Sequence, residues 1–210
     1  MKHKVMIVED RTMPRELFEL RIQASEHFEV ALSIDNAALA DVYCLRFPVD
    51  LILMDVVTRN GESGLDAAER IKRAFPQIKI IIVTSMPECS YLSRAREIGV
   101  ESFWYKEEQR ESMLDVMERT MAGESVYPDA TPELQLGLAS SYKFTERELE
   151  VLREMTGGDT NQEIAERLHM SVATVKTHIL NMLEKTGFRN RTELAVRARE
   201  SGLVILNRKN

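Results

Sequence analysis

The stretch DLILMD, residues 50–55, holds four consecutive apolar residues between two aspartates. An alternating pattern would predict a strand with one wet face, whereas an unbroken apolar run predicts a strand covered on both faces. A second run of this kind, VMIV at residues 5–8, ends in the acidic pair Glu9-Asp10. Both runs predict central strands of a parallel sheet, and each is followed directly by carboxylates.

Further short apolar runs alternate with helical patterns over the first 123 residues, which is typical of a parallel sheet wrapped by helices. The polar residues inside the run 28–34 indicate an edge strand. We expect a doubly wound, flavodoxin-like α/β domain with a five-stranded parallel sheet over residues 1–123. Its predicted strands are 5–8, 28–34, 51–54, 78–83 and 102–105, and its predicted helices lie near 14–25, 36–46, 64–74, 89–98 and 109–122.

The pattern changes after Gly123. Residues 124–143 hold two prolines, a glycine and a serine pair, which predicts a linker with a short helix starting at Thr131-Pro132. From Phe144 onward the pattern is helical, and two capping-box sequences, TERE and TNQE, mark helix starts. We expect a small all-α domain over residues 144–210, with four helices near 146–155, 161–168, 172–186 and 192–201.

The composition, 44% hydrophobic and 30% charged over 210 residues, supports packed cores and excludes disorder throughout. The formal charge of -6, taken for the whole chain, argues against a polyanionic partner. Residues 1–123 carry a net charge of -5, however, and residues 171–199 carry +4. The acidic first domain therefore masks a basic segment in the second.

The chain lacks the features of an exported or membrane-spanning protein. Its longest apolar runs fall far short of the ~20 residues of a membrane span, and the N-terminal apolar run is too short for a signal peptide. Cys44 and Cys89 have no metal-ligand or redox spacing. We therefore expect a cytoplasmic protein with reduced thiols.

Groups able to do chemistry follow four predicted strands: Glu9-Asp10, Asp55, Thr84-Ser85 and Lys106. Taken singly, each is ordinary loop or surface chemistry, but the carboxyl ends of parallel strands meet at one edge of the sheet. Clustered carboxylates suit Mg²⁺. A lysine and a hydroxyl nearby would receive phosphoryl oxygens, and a carboxylate can accept the phosphoryl group itself.

On the segments VMIVED (5–10), DLILMD (50–55), IIIVTS (80–85) and FWYK (103–106), the first domain resembles the receiver domain of two-component response regulators. The resemblance implies that Asp55 accepts a phosphoryl group from a histidine kinase. It also implies that Asp10 binds Mg²⁺ directly with help from Glu9, and that the backbone carbonyl of Val57 is a further metal ligand. Thr84 would contact the phosphoryl group and Lys106 would neutralise its charge. Phe103 would be the aromatic switch residue. The loop 56–64 departs from the family, because it lacks the usual Met-Pro pair and is one residue longer.

The helices predicted at 161–168 and 172–186 have helix-turn-helix spacing. On a helical wheel the second helix turns Val172, Val175, Ile179, Met182 and Leu183 to one side and small, polar and basic residues to the other. Any surface helix can show this division, so the wheel alone leaves a DNA-reading role open.

On FTERELEVL (144–152), NQEIAERL (161–168), SVATVKTHILNML (171–183) and RTELAVRA (191–198), the second domain resembles the LuxR-type (NarL/FixJ) DNA-binding domain. The resemblance implies that Lys176 and Thr177 face bases or phosphates, with Leu180 and Asn181 on the same side. Weaker candidates for contacts are Thr174, His178, Lys185, Asn161 and Gln162. Leu180 stands where the family is usually polar; contact with a thymine methyl and simple exposure are both open.

We therefore expect a response regulator of the NarL/FixJ class. Phosphorylation of Asp55 would shift the receiver conformation and promote binding of a homodimer to double-stranded promoter DNA. A regulator that binds DNA constitutively, without phosphorylation, is the first alternative. The second is an aspartyl-phosphate phosphohydrolase, which needs a second aspartate where this chain has Val57. We thus expect no enzymatic activity beyond self-phosphorylation and dephosphorylation of the receiver.

Overall fold

The computed structural model describes residues 2–85, 89–106, 112–129 and 131–204, with the side chains of Cys89 and Ser90 excepted. The chain divides into two compact units at residue 130. Three parts of the sequence analysis lie outside these described residues. They are the expectation of a reduced thiol at Cys89, the predicted start of the fifth helix near residue 109, and the last six residues of the chain. Cys44 is a free, half-buried thiol. None of the described helices has the length and apolar character needed to cross a membrane.

The first unit is the predicted doubly wound α/β fold. Five parallel strands stand in the order β2-β1-β3-β6-β7, with β2 at an edge as predicted. The strands are β1 (His3–Val8), β2 (Phe28–Ile34), β3 (Leu51–Met54), β6 (Lys79–Thr84) and β7 (Ser102–Tyr105). The helices are α1 (Thr12–Gln23), α2 (Ala40–Arg46), α3 (Gly64–Ala74), α4 (Cys89–Ile98) and α5 (Met113–Met121).

The register of the sheet decides which residues meet at its carboxyl edge. Val8, Met54, Ile82 and Phe103 lie side by side across four neighbouring strands. All four residues of β3 are buried, as the unbroken apolar run predicts for a strand covered on both faces. The residues that follow this row are therefore brought to one edge.

The loop after β3 is a small hairpin that the sequence interpretation did not include. Its strands are β4 (Val57–Thr58) and β5 (Glu62–Ser63), which pair antiparallel. Asn60 and Gly61 both have positive φ, and the amide of Glu62 donates to the carbonyl of Arg59, as in a type I′ turn. The Thr58 hydroxyl accepts a hydrogen bond from the Ala37 amide at 2.9 Å, which attaches the hairpin to the residues after β2.

Gly64 joins this hairpin to α3 at a point of close backbone approach. A Cβ atom at this position would lie 1.8 Å from the carbonyl oxygen of Asp55 and 2.9 Å from Cγ of Met54. Ser63 caps α3 by accepting from the Asp66 amide. Only a residue without a side chain lets the helix begin this close to the end of β3.

The second unit is a set of four helices preceded by a hairpin. The helices are α6 (Glu146–Thr156), α7 (Asn161–Arg167), α8 (Val172–Thr186) and α9 (Arg191–Ser201), close to the four predicted ranges. The helix expected at Thr131-Pro132 does not form. Instead, β8 (Gln135–Leu136) pairs with β9 (Ala139–Ser140), and Leu136 and Ala139 join the helical core.

The helix starts of this unit follow the sequence signals. Both capping boxes are formed, by Thr145 with Glu148 at α6 and by Thr160 with Glu163 at α7. Ser171 caps α8, and Asn190 caps α9. The Asn190 oxygen accepts from the Glu193 amide, so the helix begins one residue earlier than predicted.

A buried ion pair holds α8 against the start of α6. The ammonium of Lys185 lies 2.6 Å and 2.8 Å from the two carboxylate oxygens of Glu148 and 2.8 Å from the carbonyl of Lys143. The Glu148 side chain is only 3% exposed. Although burial alone would raise the pKa of Glu148, hydrogen bonds from Lys185 and the Thr145 amide hold it below its ordinary value of 4.5.

We expect Gly64→Ala to lower the free energy of unfolding of the first unit by about 3 kcal/mol or more, because backbone must move to admit the methyl group. The matched control is Gly99→Ala, where φ is positive but nothing lies within 4 Å of the added carbon. That change should cost about 1–2 kcal/mol. The measurement is urea unfolding followed by fluorescence of the single tryptophan, Trp104, which is buried in this unit. Equal losses in the two variants would contradict the close approach at Gly64.

We expect Lys185→Ala to destabilise the second unit by about 2–3 kcal/mol, because Glu148 is left buried and unpaired while water reaches part of the lysine site. Lys176→Ala, which removes an exposed lysine from the same helix, should change stability by less than about 0.5 kcal/mol. Helical circular dichroism during thermal unfolding measures both.

The same ion pair predicts a pH dependence. Since the folded-state pKa of Glu148 is lowered, the contribution of Glu148 to the free energy of unfolding should be present above pH 4.5 and lost as the pH falls through that lowered pKa. An acid profile identical in wild type and Lys185→Ala would contradict the ion pair.

Candidate functional site

Three carboxylates meet at the carboxyl edge of the sheet. Glu9 and Asp10 follow β1, Asp55 follows β3, and their ligand oxygens lie within 4.8 Å of one another. Glu9 is 1% exposed and Asp55 7%, whereas Asp10 faces solvent. The cluster is therefore a partly buried concentration of negative charge with one side open to water.

Lys106 supplies the positive charge inside this cluster. Its ammonium lies 2.5 Å from Oε2 of Glu9 and 2.9 Å from Oδ2 of Asp55. The backbone amide of Lys106 donates to the carbonyl of Thr84, which holds the end of β7 beside β6. The structure thus brings together Glu9, Asp10, Asp55 and Lys106, as the strand-end pattern predicts.

Asp55 is held in one orientation by a donor at each oxygen. The Val56 amide donates to Oδ1 at 2.7 Å, and Lys106 donates to Oδ2. Burial raises the pKa of Asp55 to about 6; Lys106 opposes the rise, and Glu9 adds to it. The Val56 amide and Lys106 both stabilise the ionised form of Asp55, which is the form required of a nucleophile.

The donor set of the cluster fits a hard divalent cation. Three carboxylates that converge within 4.8 Å offer the oxygen ligands that Mg²⁺ prefers, and the exposed Asp10 leaves a path for entry. Val57, whose carbonyl is a further predicted ligand, lies in β4, two residues beyond Asp55. The hairpin attached through Thr58 therefore determines where that carbonyl stands.

Two further predicted residues lie in the strands beside Asp55. Thr84 ends β6 and is fully buried. Phe103 shares the row of Met54, the residue before Asp55, and its ring lies 5.0 Å from that of Tyr105 and 6.3 Å from that of Tyr127. Thr84 thus lies on the strand next to β3, and Phe103 lies on the strand after that.

The second candidate surface is the outer face of α8. Val175, Ile179 and Met182 are buried in the helical core, as the wheel predicts. The opposite side exposes five of the predicted contact residues: Thr174, Lys176, Thr177, Leu180 and Asn181. Leu180 is 56% exposed among these polar neighbours.

Two other predicted contacts are occupied within the unit. The Lys185 ammonium is bonded to Glu148 and to the Lys143 carbonyl. Asn161, at the start of α7, accepts a hydrogen bond from Arg191 at 2.8 Å through its side-chain oxygen. His178 is half-buried, and Gln162 is exposed.

Three residues that shape the acidic site were absent from the sequence interpretation. The Val56 amide orients Asp55, Thr58 attaches the hairpin, and Gly64 permits the close approach to Asp55. The dipeptide Asn60-Gly61 was the available signal, since Asn-Gly between short extended segments is a strong indicator of a type I′ hairpin.

Comparison with known proteins matches both halves of the chain to families. The response regulator receiver domain matches residues 5–118, and the bacterial regulatory proteins of the luxR family match residues 142–198. The response regulator protein VraR of Staphylococcus aureus is 32% identical over 209 residues, covering 96% of this chain and 98% of VraR. VraR of Staphylococcus epidermidis shows the same identity and coverage.

Solved structures give the same result for the fold. RcsB of Salmonella enterica serovar Typhimurium, bound to a promoter in the presence of the phosphomimetic BeF3-, has a TM-score of 0.61 to this chain at 20% identity. The similarity covers 97% of this chain and all of that chain. With the acidic edge of a receiver sheet and a helix-turn-helix unit in one chain, this protein belongs to the response regulators with a LuxR-type DNA-binding domain.

Proposed function

We propose that this response regulator is switched by phosphorylation of Asp55 and then binds promoter DNA as a homodimer. The observation that carries the proposal is the arrangement around Asp55. Its carboxylate is oriented by the Val56 amide and Lys106 and shares its edge of the sheet with Glu9 and Asp10. The receiver would comprise residues 1–123 with the following segment packed on it, and the DNA-binding domain residues 144–210.

The chemistry assigned to Asp55 is phosphoryl transfer from a histidine kinase. One carboxylate oxygen forms a bond to phosphorus as the bond between phosphorus and the kinase's histidine nitrogen breaks, and the imidazole leaves with a proton from solvent. Lys106 then offers its ammonium to the phosphoryl oxygens, and Thr84 offers its hydroxyl. Because the chain matches response regulators over both of its domains, we infer that it is a switch rather than an enzyme.

The charge at this edge requires compensation during transfer. Glu9, Asp10, Asp55 and the carbonyl of Val57 would hold Mg²⁺, which when bound supplies the positive charge that offsets the carboxylates and the incoming phosphoryl group. Lys106 already neutralises part of the cluster through its contacts with Glu9 and Asp55. Both sources of positive charge are therefore local to the acceptor.

The DNA-binding proposal rests on the exposed residues of α8. Lys176 and Thr177 would meet phosphates and base edges, together with Thr174, Leu180 and Asn181, as a recognition helix does in the major groove. Lys185 is left out of this set because its ammonium is engaged by Glu148. The side-chain oxygen of Asn161 accepts from Arg191, so its NH₂ group is the part that would contact the phosphate backbone of DNA.

The charge balance of the second unit supports the proposal of dimeric binding. The segment 171–199 carries a net charge of only +4, and residues 144–170 carry -4, so one unit alone has modest affinity for a polyanion. RcsB, which shares the fold, has been solved as dimers bound to DNA. We propose that this chain likewise acts in the cytoplasm as a dimer on paired half-sites.

We expect wild-type protein incubated with Mg²⁺ and acetyl phosphate to gain the mass of one phosphoryl group, and Asp55→Asn to gain none. Intact-mass spectrometry measures the adduct, and omission of Mg²⁺ should abolish it. Asp50→Asn, which changes the aspartate at the opposite end of β3, is the matched control and should be phosphorylated normally. An adduct on Asp55→Asn, or none on the wild type, would contradict the proposed acceptor.

We expect Lys176→Ala to weaken binding to duplexes of every sequence and to reduce the slope of log K against log salt by about 0.9, as the loss of one phosphate contact requires. Fluorescence anisotropy over a salt series measures the slope, with a duplex selected by the full-length protein from a random-sequence pool. Arg46→Ala, which removes an exposed cation from the receiver, should leave the slope unchanged. Equal slopes for Lys176→Ala and the wild type would show that α8 presents another face to DNA.

A further inference from the structure

The residues directly after α5 cover the outer edge of β7. Because β7 is the last strand of the sheet, its outer backbone groups would otherwise be open to water. The Phe103 amide donates to the carbonyl of Val126 at 2.8 Å, and the Val126 amide donates to the Ser102 hydroxyl at 3.1 Å. The start of the predicted linker is thus bonded to the strand that carries the predicted switch residue.

Tyr127 adds side-chain contacts at the same place. Its hydroxyl donates to the carbonyl of Val100 at 2.7 Å, and its ring centre lies 6.3 Å from that of Phe103. The guanidinium of Arg96, on α4, lies 4.7 Å from the centre of the Tyr127 ring. Burial raises the pKa of Tyr127 to about 12, so the hydroxyl remains a donor at any physiological pH. Tyr127 therefore touches α4, the loop before β7, and β7 itself.

These contacts set the length of free chain between the two units. On the other side of residue 130, the carbonyl of Thr131 accepts a hydrogen bond from the Tyr142 hydroxyl, and Thr131 is 6% exposed. Four residue steps separate Tyr127 from Thr131, and they can span at most about 14 Å. If the contacts of Val126 and Tyr127 were released back to Gly123, the eight steps to Thr131 could span about 28 Å.

We propose that Tyr127 is a latch, by which we mean that its contacts hold residues 124–129 on β7. The position of the Phe103 ring decides whether the latch stays closed. The latch in turn sets the length of the tether, the free chain that joins the DNA-binding unit to the receiver. The inference deepens the proposed function and rests on it. Phe103 lies in the same row of the sheet as Met54, which precedes Asp55, and only β6 stands between their two strands, so a change at the acceptor has a short path to the ring. A ring that moves must change its contact with Tyr127.

The latch couples the two functions by ordinary linkage. Any contact whose strength differs between two receiver states shifts the equilibrium between them, and release of the contact removes that shift. Tether length matters because the concentration of one DNA-binding unit near its partner's half-site falls as the free chain lengthens. Loss of the latch should therefore reduce the ratio of DNA affinities measured with and without the phosphoryl group.

The test uses full-length wild type, Tyr127→Ala and Tyr43→Ala. Tyr43 is a half-buried tyrosine on α2 whose ring lies near that of Phe47. Its truncation removes a side chain of the same size. α2 follows β2, which forms the opposite edge of the sheet from β7. Each protein is treated with Mg²⁺ and acetyl phosphate, the adduct is measured by intact mass, and affinity is measured for the selected duplex. Trp104 emission confirms that the receiver of each variant is folded.

We expect Tyr127→Ala to form the adduct and to show an affinity ratio about 2- to 30-fold smaller than the wild type, the range found for residues that carry coupling. Tyr43→Ala should keep the wild-type ratio. An unchanged ratio in phosphorylated Tyr127→Ala would overturn the latch and leave the proposed function intact. A wild type that forms no adduct would instead overturn the proposed function, and the latch with it.

A second measurement requires no variant. Hydrogen exchange of the wild-type peptide covering residues 123–130 is followed by mass spectrometry with and without acetyl phosphate. We expect phosphorylation to change the exchange of this peptide, because the Val126 amide is bonded to β7 when the latch is closed. Identical exchange in protein that carries the adduct would overturn the latch, even if Tyr127→Ala failed to fold.

Discussion

The first unit depends on one ammonium group placed between two buried carboxylates. Lys106, which follows β7, contacts Glu9 after β1 and Asp55 after β3. The three residues are far apart in the sequence. Lys106 is the cation that lies against both of these carboxylates, whose residues are only 1% and 7% exposed. The parallel register of β1, β3, β6 and β7 places these groups at one edge, so the chemistry of the site is a property of the sheet.

A comparable constraint organises the second unit. Glu148 is a buried carboxylate that closes the capping box of α6 and also receives Lys185 from α8. One side chain therefore holds both the start of α6 and the C-terminal part of α8. With the Lys185 ammonium engaged by Glu148, the exposed side of α8 carries Lys176, Thr177 and their neighbours.

The segment between the units has more structure than its composition indicates. Residues 124–143 were interpreted as a linker because they are rich in turn-forming residues and lack periodicity. In the structure, Val126 and Tyr127 are bonded to the first unit, and Leu136 and Ala139 are buried in the second. The bonds of Val126 to Ser102 and of Tyr127 to Val100 join residues 24 and 27 positions apart, so no local pattern reveals them.

The sequence by itself determined the two folds, their order and most of the site. Unbroken apolar runs predicted β1 and β3, strand ends predicted Glu9, Asp10, Asp55 and Lys106, and capping boxes predicted α6 and α7. Such signals are local, because periodicity and capping depend on residues a few positions apart. Only the tertiary structure decided that the Asp55 loop is a hairpin, that Gly64 must lack a side chain, that Lys185 serves Glu148, and that Tyr127 meets Phe103. Each of these features depends on a contact with a backbone segment or a side chain outside the local sequence pattern. Such contacts are set by how the folded elements pack together.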